Sequence, residues 1–251
     1  IPPDKILYRQ TDIVKTGMQE PRGIAFSTEL GLVIVGDTVV VTSAEEPKRR
    51  RRDETDFAPV AVTALGDRLA IVSEQAIHLR RHGGDMDLVH RFGDNTRITS
   101  VAASEEAVWV ADAGTKRVRV VQWAKSDSPA REIAGGNAPD GATQLILPSA
   151  AFDVAAGLNG TVWLANPGRH SLENYRLDGS LVSSWGKPGM QLQRFCGCCN
   201  PTHFAIAPDG AFITAEKGLT RVKEYGPAGD FRGAVAGADR FKDGGGGLDV
   251  T

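Results

Sequence analysis

The chain has no surplus of charge of either sign: 29 Lys and Arg stand against 31 Asp and Glu, a formal net charge of −2. That balance argues against a nucleic-acid or polyanion binder, which shows as a basic excess. No apolar run reaches the roughly 18 residues needed to span a bilayer, so direct membrane insertion is not expected. The sequence opens at Ile1-Pro2-Pro3 without methionine, which suggests a processed or trimmed start. It also lacks the Gly-x-Ser-x-Gly elbow, the phosphate-binding loop, the His-Glu-x-x-His pair and the dinucleotide fingerprint. Cysteine is scarce, and all three copies fall between positions 196 and 199.

Glycine and proline are plentiful and spread along the whole length, 29 and 13 of them. Between them lie short runs rich in Val, Ile, Trp and Thr, such as Leu32–Val35, Val108–Val110 and Val162–Leu164. These are strand-length segments bounded by turn signals, and no apolar helical period is sustained over three turns. The fold class is therefore all-β.

An internal repeat organises the strands. Val108-Trp-Val-Ala-Asp-Ala-Gly114 aligns with Val162-Trp-Leu-Ala-Asn-Pro-Gly168 and with Phe212-Ile-Thr-Ala-Glu-Lys-Gly218. Each copy continues to an apolar residue (Val118, Leu172, Val222), then Val121, Tyr175 or Tyr225, and closes on Gly135, Gly186 or Gly237. Each is preceded by another strand, at Ile98–Ala102, Phe152–Ala156 and His203–Ala207. Four short antiparallel strands per copy make one propeller blade, which must stack on neighbours to bury its faces. Blades are expected to start near residues 23, 57, 97, 150 and 201. Leu248-Asp-Val-Thr251 looks like the first strand of a sixth, after a Gly244–Gly247 hinge. Residues 1–22, with Ile6–Thr16 as an outer strand, would close the ring, and 238–251 would begin an incomplete last blade. The expectation is a single six-bladed β-propeller over 1–251, with five blades plus closing strands as the alternative.

The run Val-Trp-Val-Ala-Asp, then Gly, then Arg-Val-Arg-Val and a closing Gly resembles the NHL-repeat β-propeller family over most of residues 20–240. Asn166-Pro-Gly-Arg-His170, Ser184-Trp-Gly186, Phe195-Cys-Gly-Cys-Cys-Asn-Pro201 and Glu216-Lys-Gly218 resemble a bacterial six-bladed group within it. The resemblance implies an exported, periplasmic or extracytoplasmic protein and a chain that continues beyond Thr251. It implies an interaction platform as the commonest role, with zinc-dependent lyases and lactonase-like propellers as the enzymatic minority.

Propeller connectivity gathers the loops that lead into the innermost strands, and those between second and third strands, on one face. That face would carry Asp112–Arg117, Asn166–His170, Glu216–Arg221 and the loop Lys187–Pro201 with its cysteines. Cys196, Cys198 and Cys199 could share a soft metal, with His203 or His170 completing the set; zinc, Cu(I) or an iron–sulfur cluster would suit such ligands. A Cys196–Cys199 disulfide and unligated thiols remain open alternatives. Asn200 stands where a c-type haem site needs His, so covalent haem is not expected. Asp112, Asn166 and Glu216 are equivalent positions and read first as turn caps. Arg117, Arg169, Glu216, Lys217 and Arg221 form a candidate face for an anionic ligand or a partner. Trp109 and Trp163 read as packing between blades. The basic run Lys48–Arg52 is balanced by five acids in residues 45–56 and reads as an exposed neutral loop.

Three functions fit. One is a non-catalytic exported scaffold with a metal or redox site, docking a protein such as a redox or membrane complex. Another is a metal-dependent lyase-like enzyme in which His170, His203 and the cysteines ligate while Arg169 or Arg221 holds substrate. The third is a plain platform with a disulfide.

Overall fold

The computed structural model describes residues 1–43, 50–81, 84–122, 130–136, 144–241 and 248–251. Five four-stranded antiparallel sheets follow one another along the chain. Blade one holds β1 (Pro21–Ser27), β2 (Gly31–Gly36), β3 (Val39–Ser43) and β4 (Arg50–Glu54). Blade two holds β5 (Ala61–Leu65), β6 (Arg68–Val72), β7 (Ala76–Arg81) and β8 (Met86–Arg91). Blade three is β9 (Ile98–Ala103), β10 (Ala107–Asp112), β11 (Arg117–Gln122) and β12 (Arg131–Ala134). Blade four is β13 (Val154–Ala156), β14 (Val162–Asn166), β15 (Ser171–Tyr175) and β16 (Leu181–Trp185). Blade five is β17 (His203–Ile206), β18 (Phe212–Glu216), β19 (Arg221–Tyr225) and β20 (Phe231–Ala236). The all-β propeller expectation holds, and all five blade starts lie close to their expected positions.

Burial follows each strand's distance from the axis. Second strands are covered on both faces, and every residue of β10 and β14 is buried. Fourth strands form the rim: Leu181–Ser184 of β16 are exposed. Apolar residues therefore run almost continuously along second strands and thin out on fourth strands, as expected of sheets packed face to face.

The cores lie between blades. Val33, Val35 and Val40 of blade one pack with Val62, Leu69 and Ile71 of blade two. Trp109 of blade three packs with Val154, Leu164 and Tyr175 of blade four. Trp163 meets Phe212 of blade five edge to face, with ring centroids 4.8 Å apart. The two tryptophans thus repeat one contact, each reaching into the following blade.

The inner strands are stitched by side chains at a repeated position. Ser100 Oγ accepts from Val154 N at 3.3 Å. Asp153 accepts from Phe204 N at 2.7 Å, and Asp249 from Ile24 N at 2.9 Å. Each bond runs from one inner segment to the next, and the last joins residues 248–251 to blade one.

Three details depart from expectation. The described residues contain five blades rather than six, because 248–251 carry no strand partner although Asp249 makes the inter-blade bond of a sixth inner position. Gly244–Gly247 lie outside the described residues. Ile6–Thr16 form no outer strand; Ile6 makes one parallel bridge to Ala234 of β20, and the segment that follows is coil. Arg50–Arg52 are strand rather than loop, paired with β3, and Asp53 balances both Arg51 (2.8 Å) and Arg80 (2.7 Å). Lys48 and Arg49 lie outside the described residues. Among those described, no helix is long and apolar enough to cross a membrane.

Replacing Trp163 with Ala removes the wedge between blades four and five. The expected loss is about 3–5 kcal/mol, read as a lower guanidinium midpoint at unchanged slope.

Candidate functional site

Asp112, Asn166 and Glu216 end the second strands of blades three, four and five, and all three are fully buried. Each holds the loop that leads into its own blade. Asp112 accepts from Arg97 N at 2.9 Å, Asn166 Oδ1 from Ile146 N at 3.0 Å, and Glu216 from Cys196 N at 3.0 Å. Asp112 also caps its turn through Gly114 N and Thr115 N. The turn-cap reading is correct for Asp112 and becomes a loop latch in the other two. Seven residues on, each latch has a partner in the third strand. Arg119 sits 3.2 Å from Asp112, Glu173 accepts from Asn166 at 3.0 Å, and Lys223 sits 3.2 Å from Glu216.

The blade-five latch is the most elaborate, and it forms the floor under the cysteines. Glu216 is paired with Arg221 as well as Lys223. Lys223 is fully buried, donates to Arg194 O at 2.9 Å, and lies 4.6 Å from the centroid of Phe195. Burial pushes its ammonium down to about 8, against the opposing pull of Glu216. Removing one partner of such a pair strands a buried charge, which costs about 3–5 kcal/mol.

Above this floor the loop is braced at three points. Asn200 Nδ2 donates to Cys196 O (2.6 Å) and Lys217 O (3.0 Å), and Asn200 Oδ1 accepts from Lys217 N (2.9 Å). His170, held in a left-handed conformation at φ 57°, places Nε2 2.5 Å from Gly197 O. Gly197 itself turns at φ 78°, a conformation that glycine adopts without strain.

All three cysteines are free. Cys196 and Cys199 are buried, Cys198 is exposed, and the close pair is Cys198–Cys199, with sulfurs 3.5 Å apart. Burial pushes the Cys199 thiol up, but hydrogen bonds from Lys217 and Cys198 and the Lys217 charge bring it net below its ordinary value. The Cys199 thiol thus lies beside Lys217 and next to the exposed thiol of Cys198.

The other expected ligands are dispersed. Among the described residues no group of three or more His, Cys, Asp or Glu side chains comes together to hold a metal ion. Cys196, Cys198, Cys199, His170 and His203 are not drawn together into one such group. His170 is engaged with the Gly197 carbonyl, while His203 lines the axis. Glu216 and Arg221 are buried in an ion pair, so neither is available to a partner or an anionic substrate. Arg117 is paired with Glu132. Arg169 is exposed and donates to Gln144 O, and Lys217 stands beside Cys199.

A second polar centre lies on the axis, in a cavity of about 210 Å³ lined by all five inner strands and by Asp249–Thr251. Asp153 and Asp249 face it with His203, whose buried Nδ1 has no partner. Burial raises the Asp153 carboxyl to about 6; burial and the Asp153 charge raise Asp249 to about 6, against the pull of His203. Burial lowers His203. The two aspartates did not stand out in the sequence, yet Phe152-Asp-Val154 and Leu248-Asp-Val250 repeat one triplet.

Two outcomes are expected. Lys217→Met raises the Cys199 pKa, so its alkylation by iodoacetamide at pH 7 slows several-fold while Cys198 is unaffected, as mass spectrometry of modified peptides will show. The aspartates also set a pH dependence. Between their ordinary 3.8 and about 6 the folded chain holds protons that the unfolded chain has released. Their contribution to stability is thus full below the ordinary value and is lost as pH rises through that window. Because the lowered His203 acts in the opposite sense over the same window, the aspartates' share is read as a difference: from pH 4 to 6 the parent protein should lose more denaturant stability, or gain less, than Asp153→Asn does.

No family model matches the sequence, and no curated protein matches it. Solved structures do match in shape. A streptogramin B lyase superposes with a TM-score of 0.60 at 12% identity, covering 84% of this chain and 66% of that one. The virginiamycin B lyase of Staphylococcus aureus, in an inactive form with quinupristin, gives 0.57 at 12%, covering 84% and 68%. A structure of the nidogen/laminin complex gives 0.63 at 12%, covering 85% and 79%. The chain spans just under two thirds of the streptogramin B lyase's length. At this level of identity the likeness establishes one thing, the β-propeller fold.

Proposed function

We propose that this propeller is a non-catalytic interaction scaffold of the exported NHL type, and that it docks a protein partner through the cysteine-bearing face. The observation that carries the reading is the pair Cys198–Cys199, one thiol exposed and the other lowered by Lys217, on a loop fixed by Asn200, His170 and Glu216. A rigid base and a reactive dithiol suit thiol–disulfide exchange with a partner's disulfide. The exposed Cys198, as its thiolate, attacks one partner sulfur and displaces the other as a thiolate. Cys199, 3.5 Å away, then resolves the mixed disulfide, so this chain loses two electrons and two protons and the partner leaves as a dithiol. The propeller in the nidogen/laminin structure belongs to a protein–protein complex, which supports the scaffold role by analogy of fold. Export rests on the family resemblance.

The test is anaerobic purification, followed by thiol counting, elemental analysis and titration with a trivalent arsenical, which two neighbouring thiols chelate. Three titratable thiols, one equivalent of arsenical and no stoichiometric metal are expected, with capture lost in Cys198→Ser. Stoichiometric zinc or iron that falls in that variant would replace the dithiol by a metal centre.

A second reading is an enzyme working at the axis. It is supported by two carboxyls near pH 6 beside a histidine in a polar cavity, groups able to exchange protons near neutrality. The shape shared with lyases of streptogramin antibiotics points the same way. An activity lost in both Asp153→Asn and His203→Gln but kept in Cys198→Ser would establish this reading over the scaffold.

A further inference from the structure

We propose that the partner docking at the cysteine-bearing face presents an acidic segment, with apolar residues among its carboxylates. This partner chemistry rests on the docking role proposed above. Four cations stand on the loops that meet at the cysteines: Arg169, Lys187 and Arg194 are exposed, and Lys217 is partly so. Each is tied to the cysteine loop by a contact or by sequence. His170, next to Arg169, places its ring against Gly197 O. Lys187 O accepts from Phe195 N at 3.0 Å, and Arg194 lies two residues before Cys196. Lys217 is bonded to Asn200 through its backbone and to Cys199 through its side chain.

These cations have no counter-charge on their own loops. Residues 166–170, 187–201 and 216–221 include one acid, Glu216, which is buried and held by Arg221 and Lys223. The adjoining stretch 144–151 has no charged residue. Arg169 donates through Nε to Gln144 O at 3.2 Å, and Arg194 through Nη1 to Pro188 O at 3.4 Å. Both acceptors are neutral carbonyls, which orient a guanidinium without cancelling its charge. Elsewhere arginines meet carboxylates, as Arg68 does Glu105 and Arg232 does Asp209 and Glu224. Among the described residues none of these four cations is in such a pair. A chain with a formal net charge of −2 thus keeps unbalanced positive charge around its cysteines. Like charges held together repel, and an arriving anion relieves that repulsion.

The surface between the charges decides the class of partner. Met190 and Leu219 are exposed on the same loops, apolar side chains that a protein segment covers on docking. The aromatic ring of those loops, Phe195, is buried, so a single-stranded nucleic acid finds no ring there on which to stack a base. The structure also changes which cations serve. Arg117 and Arg221 are neutralised by Glu132 and Glu216, and Lys187 and Arg194 stand in their place beside Arg169 and Lys217.

The experiment is a fluorescence-anisotropy titration of the reduced protein with labelled peptides that lack cysteine and alternate Glu, Gln or Lys with Leu. The Glu peptide should bind best, and its Kd should rise about tenfold between roughly 50 and 300 mM salt as the charges are screened. Arg169→Gln, Lys187→Gln and Arg194→Gln should each weaken it about two- to threefold, and together about tenfold or more. Arg176→Gln, an exposed cation in a turn on the opposite face, should leave it unchanged. A second series carries two cysteines joined as a disulfide, flanked by Glu or by Lys, with each reduction rate taken relative to that with dithiothreitol. Binding of the Glu peptide without reduction of its disulfide would retain the acidic partner and refute thiol exchange. Equal relative rates for the two disulfides would leave exchange standing and overturn the acidic partner. So would a Glu peptide that does not bind, equal or tighter binding of the Gln or Lys peptide, or preference for a single-stranded oligothymidylate of the same charge.

Discussion

A four-stranded sheet that is apolar on both faces has no stable existence in water, and every other property of this protein depends on how that constraint is met. Blades two, three and four each bury one face against the blade before and the other against the blade after, while blades one and five each pack on one neighbouring blade. The residues that do so, such as Val33 with Ile71 or Trp109 with Tyr175, are far apart in sequence but repeat in register. Some loops share in this packing, as Phe195 does between blades four and five and Leu145 and Leu147 between three and four. The rest of each loop can vary in length and chemistry, which is where the cysteine-bearing face arises.

The cysteine loop shows how the scaffold restrains such variation. In blades three and four the latch at the end of the second strand is an Asp with an Arg, and an Asn with a Glu. Blade five replaces these with a buried carboxylate held by two cations, one of them fully enclosed between aromatic rings. A charge cluster of that kind contributes little net stability by itself. Its effect is geometric, because Glu216 fixes Cys196 N and Lys223 fixes Arg194 O on either side of Phe195. Cys198 stands exposed and Cys199 buried on a segment anchored through Cys196 N, Arg194 O and Asn200.

The architecture was legible because a repeat announces itself in one sequence. The Val-Trp-Val-Ala-Asp pattern marks second strands, and glycine marks the turns after them. The face that carries the cysteines followed from connectivity alone. What escaped was whatever depends on which atoms meet. Glu216 and Arg221 looked like surface charge because they flank a turn, and only the register Glu216–Arg221 across β18 and β19 turns them inward. His203 is four residues from Cys199 in sequence, yet a strand start separates them and sends the histidine to the axis. The strand of Arg50–Arg52 was hidden because its alternation is charge against charge rather than apolar against polar.

The hydrogen bonds from Asp153 to Phe204 N and from Asp249 to Ile24 N have a consequence for how such rings grow. Both bonds point the same way round the axis, as does that of Ser100 with Val154 N, so these junctions join the front of one unit to the back of the next, as in a cyclic assembly of identical subunits. A front-to-back junction is indifferent to how many units are present. The count is decided by the angle between neighbours and by where the last front meets the first back. At Asp249 and Ile24 the same contact joins residues 248–251 to blade one, and a duplicated or deleted unit could be accommodated at such a junction without inventing a new kind of contact.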